Sequence, residues 1–549
     1  MGEDQTSQRD GGEDLVLTVP PVDSTGVPRL DPVLGGGIPR GALVIIVGPP
    51  GSGKTTLANQ MAFAAARGGR RAMVLTALSE PTSKLIAHLS SFSFYDDDLV
   101  GDTIQFHSLQ QFLTGGLEAT GDEIVAEARR TRASFVVLDG FRGIRGADVN
   151  PQAARQFLYD VGTTLSVLGT TTVITSESDP RDPYFFPEAT TGDVIIGLRY
   201  QLLGVRQWRG IEALKVRGGA PLTGMHGMAI SFDGVAAFPR LEARVAARST
   251  GSRAGEYNEA DRTDEHLAAE GLLDGRASFD LPQLDALMEG GLTRGTSTLV
   301  VGSLGTGKTL LALHYAVAGA AVGEPTLLLG FRESHRQLRL KVEPFTFGPA
   351  LVRALAPGGN LTFIRWSPVE LVPDIVADQL LAMIDTLGIR RLVVDSATEL
   401  ERAVVETGDP QRVDNYLAAL VEALRMRGVT ALFTKEIPQT TAPELDFARN
   451  PISVMAENVL LLRREERDAQ LERSLSVIKM RFSAHDGSAR VPCTITPPEG
   501  FRLASADPSP TGANPLEGGA GRRSRGGSPE RASDRLRTST DDNHPEEQP

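Results

Sequence analysis

Gly48-Pro49-Pro50-Gly51-Ser52-Gly53-Lys54-Thr55 follows the apolar run Leu43–Val47 and opens a stretch of helical character, Thr55–Arg67. It fits G-x-x-x-x-G-K-[ST], a phosphate loop, in the strand-to-helix context such a loop requires. The glycines let the backbone wrap a polyphosphate, with amide hydrogens and the helix N-terminus turned toward the anion. Gly302-Ser303-Leu304-Gly305-Thr306-Gly307-Lys308-Thr309 repeats the pattern between Thr298–Val301 and Leu310–Ala321. The copies superpose without a gap at an offset of 254 residues, back to Leu30-Asp31-Pro32-Val33-Leu34-Gly35-Gly36-Gly37 and Leu284-Asp285-Ala286-Leu287-Met288-Glu289-Gly290-Gly291. A period this long marks duplicated domains, since solenoid repeats run about 20 to 50 residues.

Outward from the loops, each half alternates apolar β-rich runs with helical stretches, the pattern of an α/β domain on a mostly parallel twisted sheet flanked by helices. Gly68-Gly69 and Gly323 supply helix stops, and Val376, Leu380, Ile384 and Leu387 keep helical spacing ahead of a strand at Arg391–Asp395. The expected division is a tail over 1–14, a first domain over 15–246, a polar linker over 247–268, a second domain over 269–505 and a Ser-, Pro- and Gly-rich tail over 506–549.

The 549 residues include 56 basic and 69 acidic side chains, a formal net charge of −13. That balance argues against a protein that clamps nucleic-acid phosphates. The single cysteine, Cys493, rules out a disulfide framework or a Cys-based zinc cluster within one chain, and is read as a small buried hydrophobe. The absence of a membrane-spanning run and the acidic, Gly-rich opening set the expectation of a cytoplasmic protein with no membrane partner.

The nucleotide-binding candidates are Gly48, Gly51, Ser52, Gly53, Lys54, Thr55 and Thr56, and in the second half Gly302, Gly305, Thr306, Gly307, Lys308, Thr309 and Leu310. Lys54 and Lys308 would neutralise the β/γ charge of a bound nucleotide, and the Thr55 and Thr309 hydroxyls would ligate Mg2+. A metal site of this kind also takes an acid at the end of a neighbouring strand. Asp139 and Asp395 end apolar runs 85 and 87 residues past the two lysines. Glu80 and Glu333, 26 and 25 residues past them, are the candidate catalytic bases. A third duplicated element, Lys215-Val216-Arg217 and Lys479-Met480-Arg481, places a cationic pair on one face of a strand, suited to a γ-phosphate bound by a neighbouring subunit.

In their order these motifs resemble the KaiC family of the RecA-type ATPases, with two tandem domains over roughly residues 24–246 and 277–503. The glycine-rich entries, the acidic turns at Glu80 and Glu333 and the K-x-R pairs carry the resemblance, with Asn450-Pro451-Ile452-Ser453 and Ile478-Lys479-Met480-Arg481 followed by His485-Asp486 close to the family's second domain. The resemblance implies RecA-like folds, ATP at subunit interfaces, a double-ring homohexamer, slow hydrolysis and, as in the clock protein of that family, autophosphorylation in the second ring.

The chain also departs from the family. Adjacent catalytic glutamates are replaced by Ser79-Glu80 and Arg332-Glu333, and Arg332 is expected to pair with Glu333 and make it a poorer base. Of the adjacent Ser and Thr phosphoacceptors, Ser453 and Val454 stand in place, leaving only the serine. The expectation is weak hydrolysis, weaker in the second half, in a signalling or regulatory setting, with regulatory partners reached through the C-terminal tail. The alternatives are a non-hydrolysing ATP-bound oligomeric scaffold and a RecA- or RadA-type DNA-dependent ATPase; the acidic balance and the use of nearly the whole chain by two ATPase domains count against the latter.

Overall fold

The computed structural model describes residues 21–76, 81–113, 115–141, 151–179, 190–203, 205–249, 264–407, 410–437, 456–467, 470–482 and 490–504. The strand Leu43–Val47 is buried along its length, and its side chains alternate between two cores. Val44 and Ile46 pack with Leu57, Met61 and Phe63 of the helix Lys54–Arg67. Leu43, Ile45 and Val47 turn the other way, onto Ile124 of the helix Leu117–Thr131 and Leu158 and Val161 of the helix Pro151–Val167. Cover on both faces explains why these strands read as unbroken apolar runs. In the second half Val300 faces Leu311 and Tyr315 of the helix Lys308–Ala321. Leu299 and Val301 face Val376, Leu380 and Ile384 of the helix Pro373–Leu387. Leu387, grouped with those three by its spacing, is instead 45% exposed at the helix end.

Each half builds one nine-stranded sheet. The first runs Ile104–Ser108, Ala72–Thr76, Phe135–Leu138, Thr171–Ser176, Leu43–Val47, Val194–Leu203, Arg206–Val216, His226–Ser231 and Gly234–Phe238. Its first six strands are parallel neighbours and the last three are antiparallel. The second sheet repeats this order from Leu361–Arg365 through Ser297–Gly302 to Gly500–Leu503. Both sheets carry a register shift at the same place, between Ile195 and Ile196 and between Val459 and Leu460. The architecture is two tandem RecA-like α/β domains, with each phosphate-loop strand in the middle of its sheet.

The described residues of both sheets belong to one compact unit that ends at Ser505. The helix Leu241–Ser249 follows the last strand of the first sheet, yet its Leu241 and Val245 join the core of the second half. Beside it Arg412 bridges two carboxylates, with Nη1 donating to Asp374 Oδ2 at 3.1 Å and Nη2 to Glu242 Oε2 at 3.0 Å. Asp374 is 5% exposed. Arg206–Glu406 at 3.2 Å and Arg29–Asp378 at 3.4 Å extend this charged joint between the halves.

Candidate functional site

Both phosphate loops have the same internal geometry. Gly53 and Gly307 sit just ahead of their helices with φ of 101° and 103°, a left-handed conformation that glycine adopts without a Cβ clash. A Cβ on Gly48 or Gly302 would lie 2.7 Å from the carbonyl oxygen of Leu198 or Leu462, so the loop hugs the neighbouring strand. Gly51 and Gly305 also take positive φ. Ser52 and Thr306 are fully buried in the turn, and Thr56 and Leu310 lie buried in the first helical turn.

The lysines fold back over their own loops. Lys54 Nζ donates to the carbonyls of Gly48 at 2.9 Å and Pro49 at 3.0 Å, and Lys308 Nζ to those of Gly302 at 2.8 Å and Ser303 at 2.9 Å. Burial lowers the pKa of both ammonium groups. Glu177 and Asp139 pull Lys54 back up, as Glu436 and Asp395 do for Lys308. The nearby carboxylates thus favour charged lysines beside a bound polyphosphate.

The strand-end aspartates meet the loop threonines. Thr55 Oγ1 donates to Asp139 Oδ1 at 3.2 Å, and Thr309 Oγ1 to Asp395 Oδ2 at 2.8 Å. Each aspartate is steadied by a second hydroxyl that sequence reasoning missed: Thr175 donates to Asp139 Oδ1 at 2.5 Å, and Thr434 donates to Asp395 Oδ1. A hydroxyl and a carboxylate side by side are the hard oxygen donors that Mg2+ takes, together with water and phosphate oxygens. With the glycine cradle and the lysine, the donor set fits a magnesium nucleotide in both halves.

At the second-half loop lies a cavity of about 510 Å³, lined among others by Gly305, Gly307, Lys308, Thr309, Arg332, Glu333, Asp395, Glu399 and Arg473. It brings Glu333 together with the loop lysine and the metal-site pair. The expected Arg332–Glu333 pairing is not formed. Arg332 Nε donates to Glu399 Oε1 at 2.8 Å, and Glu333 Oε1 takes Lys341. Glu399 is 4% exposed, so its buried carboxylate draws the nearest guanidinium. Glu333 Oε2 is buried without a hydrogen-bond partner among the described residues.

Glu80, the first-half counterpart of Glu333, lies outside the described residues, as do Ser453, His485 and Asp486. Lys215 stands one residue before the end of its strand, opposite the register shift and paired with Ile195, and Lys479 stands likewise opposite Val459. Arg217 lies past its strand and is ion-paired with Asp193 at 3.0 Å; Arg481 is exposed past its strand. Lys479 Nζ donates to the Ala456 carbonyl at 2.8 Å. Among the described residues that line the second-half cavity, none belongs to the cationic pairs. Cys493 is buried in the second-half core, and burial pushes its thiol up to about 11. Among the described residues no helix is long and apolar enough to cross a membrane.

The family model for the KaiC ATPase matches residues 23–242 and 279–507. The chain is 24% identical over 483 residues to the circadian clock oscillator protein KaiC of Picosynechococcus sp., covering 85% of this chain and 86% of that protein. It is 24% identical over 477 residues to circadian clock oscillator protein KaiC 1 of Synechocystis sp., again covering 85% and 86%. Against KaiC of Thermostichus vulcanus the identity is 24% over 501 residues, 89% of this chain and 90% of that protein.

Proposed function

Because the chain belongs to the KaiC family of ATPases, we propose that both halves bind ATP with Mg2+, and that the chain hydrolyses it slowly at the subunit interfaces of a ring oligomer in a signalling or regulatory role. The observation that carries this reading is the duplicated cluster of loop lysine, loop threonine and strand-end aspartate, built twice with the same partners. When bound, Mg2+ would supply charge neutralisation for the phosphates.

The residues of the chain do the rest. Lys54 and Lys308 leave their loop carbonyls for phosphate oxygens, while Thr55 with Asp139 and Thr309 with Asp395 hold the metal and its water shell. Thr175 and Thr434 keep the aspartates oriented. Glu80 and Glu333 serve as bases toward the attacking water. Lys215 with Arg217, and Lys479 with Arg481, reach the γ-phosphate of a neighbouring subunit, which makes hydrolysis depend on assembly; a homohexamer is the ring that family membership suggests. Ser453 is the single candidate autophosphorylation site, and phosphopeptide mapping after incubation with ATP should lose its signal in Ser453→Ala.

A second reading, an ATP-bound scaffold that turns over little nucleotide, is favoured for the second half by the Lys341 contact on Glu333, which holds the expected base as a paired carboxylate. Light scattering with and without Mg-ATP, with phosphate release followed on the same sample, separates the readings. An ATP-dependent oligomer with slow turnover supports the enzyme, an oligomer without turnover supports the scaffold, and a persistent monomer contradicts both.

A further inference from the structure

We propose that Arg332 is a phosphate-binding residue of the second-half site, parked on Glu399 and transferred to the terminal phosphate of a bound nucleoside triphosphate. This rests on the reading of that loop as ATP-binding.

The turn that carries Arg332 leaves the strand Thr326–Gly330, whose last residue pairs with Asp395 of the next strand. The turn therefore begins beside the aspartate that contacts Thr309. Phe331 is buried in the core and pins it there. Arg332 lines the same cavity as Lys308 and Thr309, and its charge helps lower the pKa of Lys308. The two cations thus address one volume.

The Arg332–Glu399 pair is asymmetric. Glu399 is 4% exposed, stands on the helix Ala397–Glu406 and also accepts from the Ser396 hydroxyl, so it is the fixed member. The Arg332 side chain is 65% exposed and uses only Nε toward Glu399. Its terminal nitrogens have no hydrogen-bond acceptor among the described residues. A guanidinium fork with free donors is suited to two oxygens of one phosphate. A triphosphate brings more negative charge to the cavity than Glu399 offers and draws the exposed member of the pair. A diphosphate lacks the terminal phosphate that Arg332 would take, so Arg332 discriminates between the two. Glu399 acts as a positioning residue, holding the arginine close to the site and competing for it.

The test uses the full chain carrying Lys54→Ala, so that the second half alone reports, with ADP and β,γ-imido-ATP titrated calorimetrically in the presence of Mg2+. Arg332→Ala should weaken the triphosphate analogue by roughly tenfold, the size of a lost charge-assisted hydrogen bond, and leave ADP within about twofold. Glu399→Gln, which keeps the shape of the buried partner, should tighten the triphosphate analogue and leave ADP unchanged. Equal weakening of both nucleotides in Arg332→Ala, or of neither, overturns the assignment. Lys308→Ala in the same background should lose both nucleotides. If it loses neither, the loop reading itself fails, a result distinct from loss of selectivity alone.

Discussion

The same position on the two phosphate-loop helices, six residues past the lysine, is Gln60 in the first half and His314 in the second. Gln60 is fully used: Nε2 donates to the Val235 carbonyl at 3.1 Å and Oε1 accepts from Val235 N at 2.7 Å, tying the helix to the last strand of its sheet. His314 faces Gly500, which begins the corresponding strand, and its Nε2 is buried without a hydrogen-bond partner among the described residues. Its ring packs on Phe347 at 4.1 Å instead. The loop lysines, threonines and aspartates meanwhile keep the same partners in both halves. Chemistry at the phosphate end is held constant while the support behind the helix has changed from a polar tie to an apolar contact.

The largest effect should come from the joint that both halves share. Arg412→Ala strands the buried Asp374 and leaves Glu242 only its longer contact with Arg240 at 3.7 Å, and should cost about 3–5 kcal/mol, read by denaturant unfolding. If the halves were independent of the joint, the loss would fall well below this and leave the Tm of each half unchanged.

Acid should then distinguish the supports. Burial brings the His314 pKa down from 6.5 to about 4, and the same is true of His226. A depressed imidazole binds its proton more readily in the unfolded chain, so stability is complete above pH 6.5 and falls as pH drops from 6.5 toward 4. Each histidine contributes a loss of about 3 kcal/mol over that window. His314→Gln should remove its share and leave that of His226 in the first half; an unchanged acid slope would show that the buried imidazole is not the source.

The smallest effect concerns the hydroxyls behind the metal-site aspartates. Thr175→Val and Thr434→Val should each cost about 1 kcal/mol of stability and weaken Mg-ATP severalfold in their own half. A large loss in one half only would break the equivalence of the two sites.

Much of this was legible in the sequence. Invariant spacing exposed the duplicated loops, and cover on both faces made Leu43–Val47 and Arg391–Asp395 readable as core strands. The supporting residues were not legible. A threonine inside a strand, such as Thr175 or Thr434, satisfies β-propensity whether or not its hydroxyl has a task. Glu399 reads as a solvated helix residue until folding brings Arg332 to it from 67 positions away. A boundary at residue 246 falls inside the helix Leu241–Ser249, because its apolar positions describe an amphipathic helix and not the core it joins. For Arg332, sequence adjacency suggested Glu333, but the buried carboxylate prevailed.

The most direct test of the central claim, two nucleotide sites of one design with a weaker second half, is phosphate release from Lys54→Ala and Lys308→Ala chains under conditions where both assemble. The account predicts that Lys308→Ala keeps most of the parental turnover and Lys54→Ala only a small remainder. Equal rates, or faster release from the Lys54→Ala chain, would contradict it.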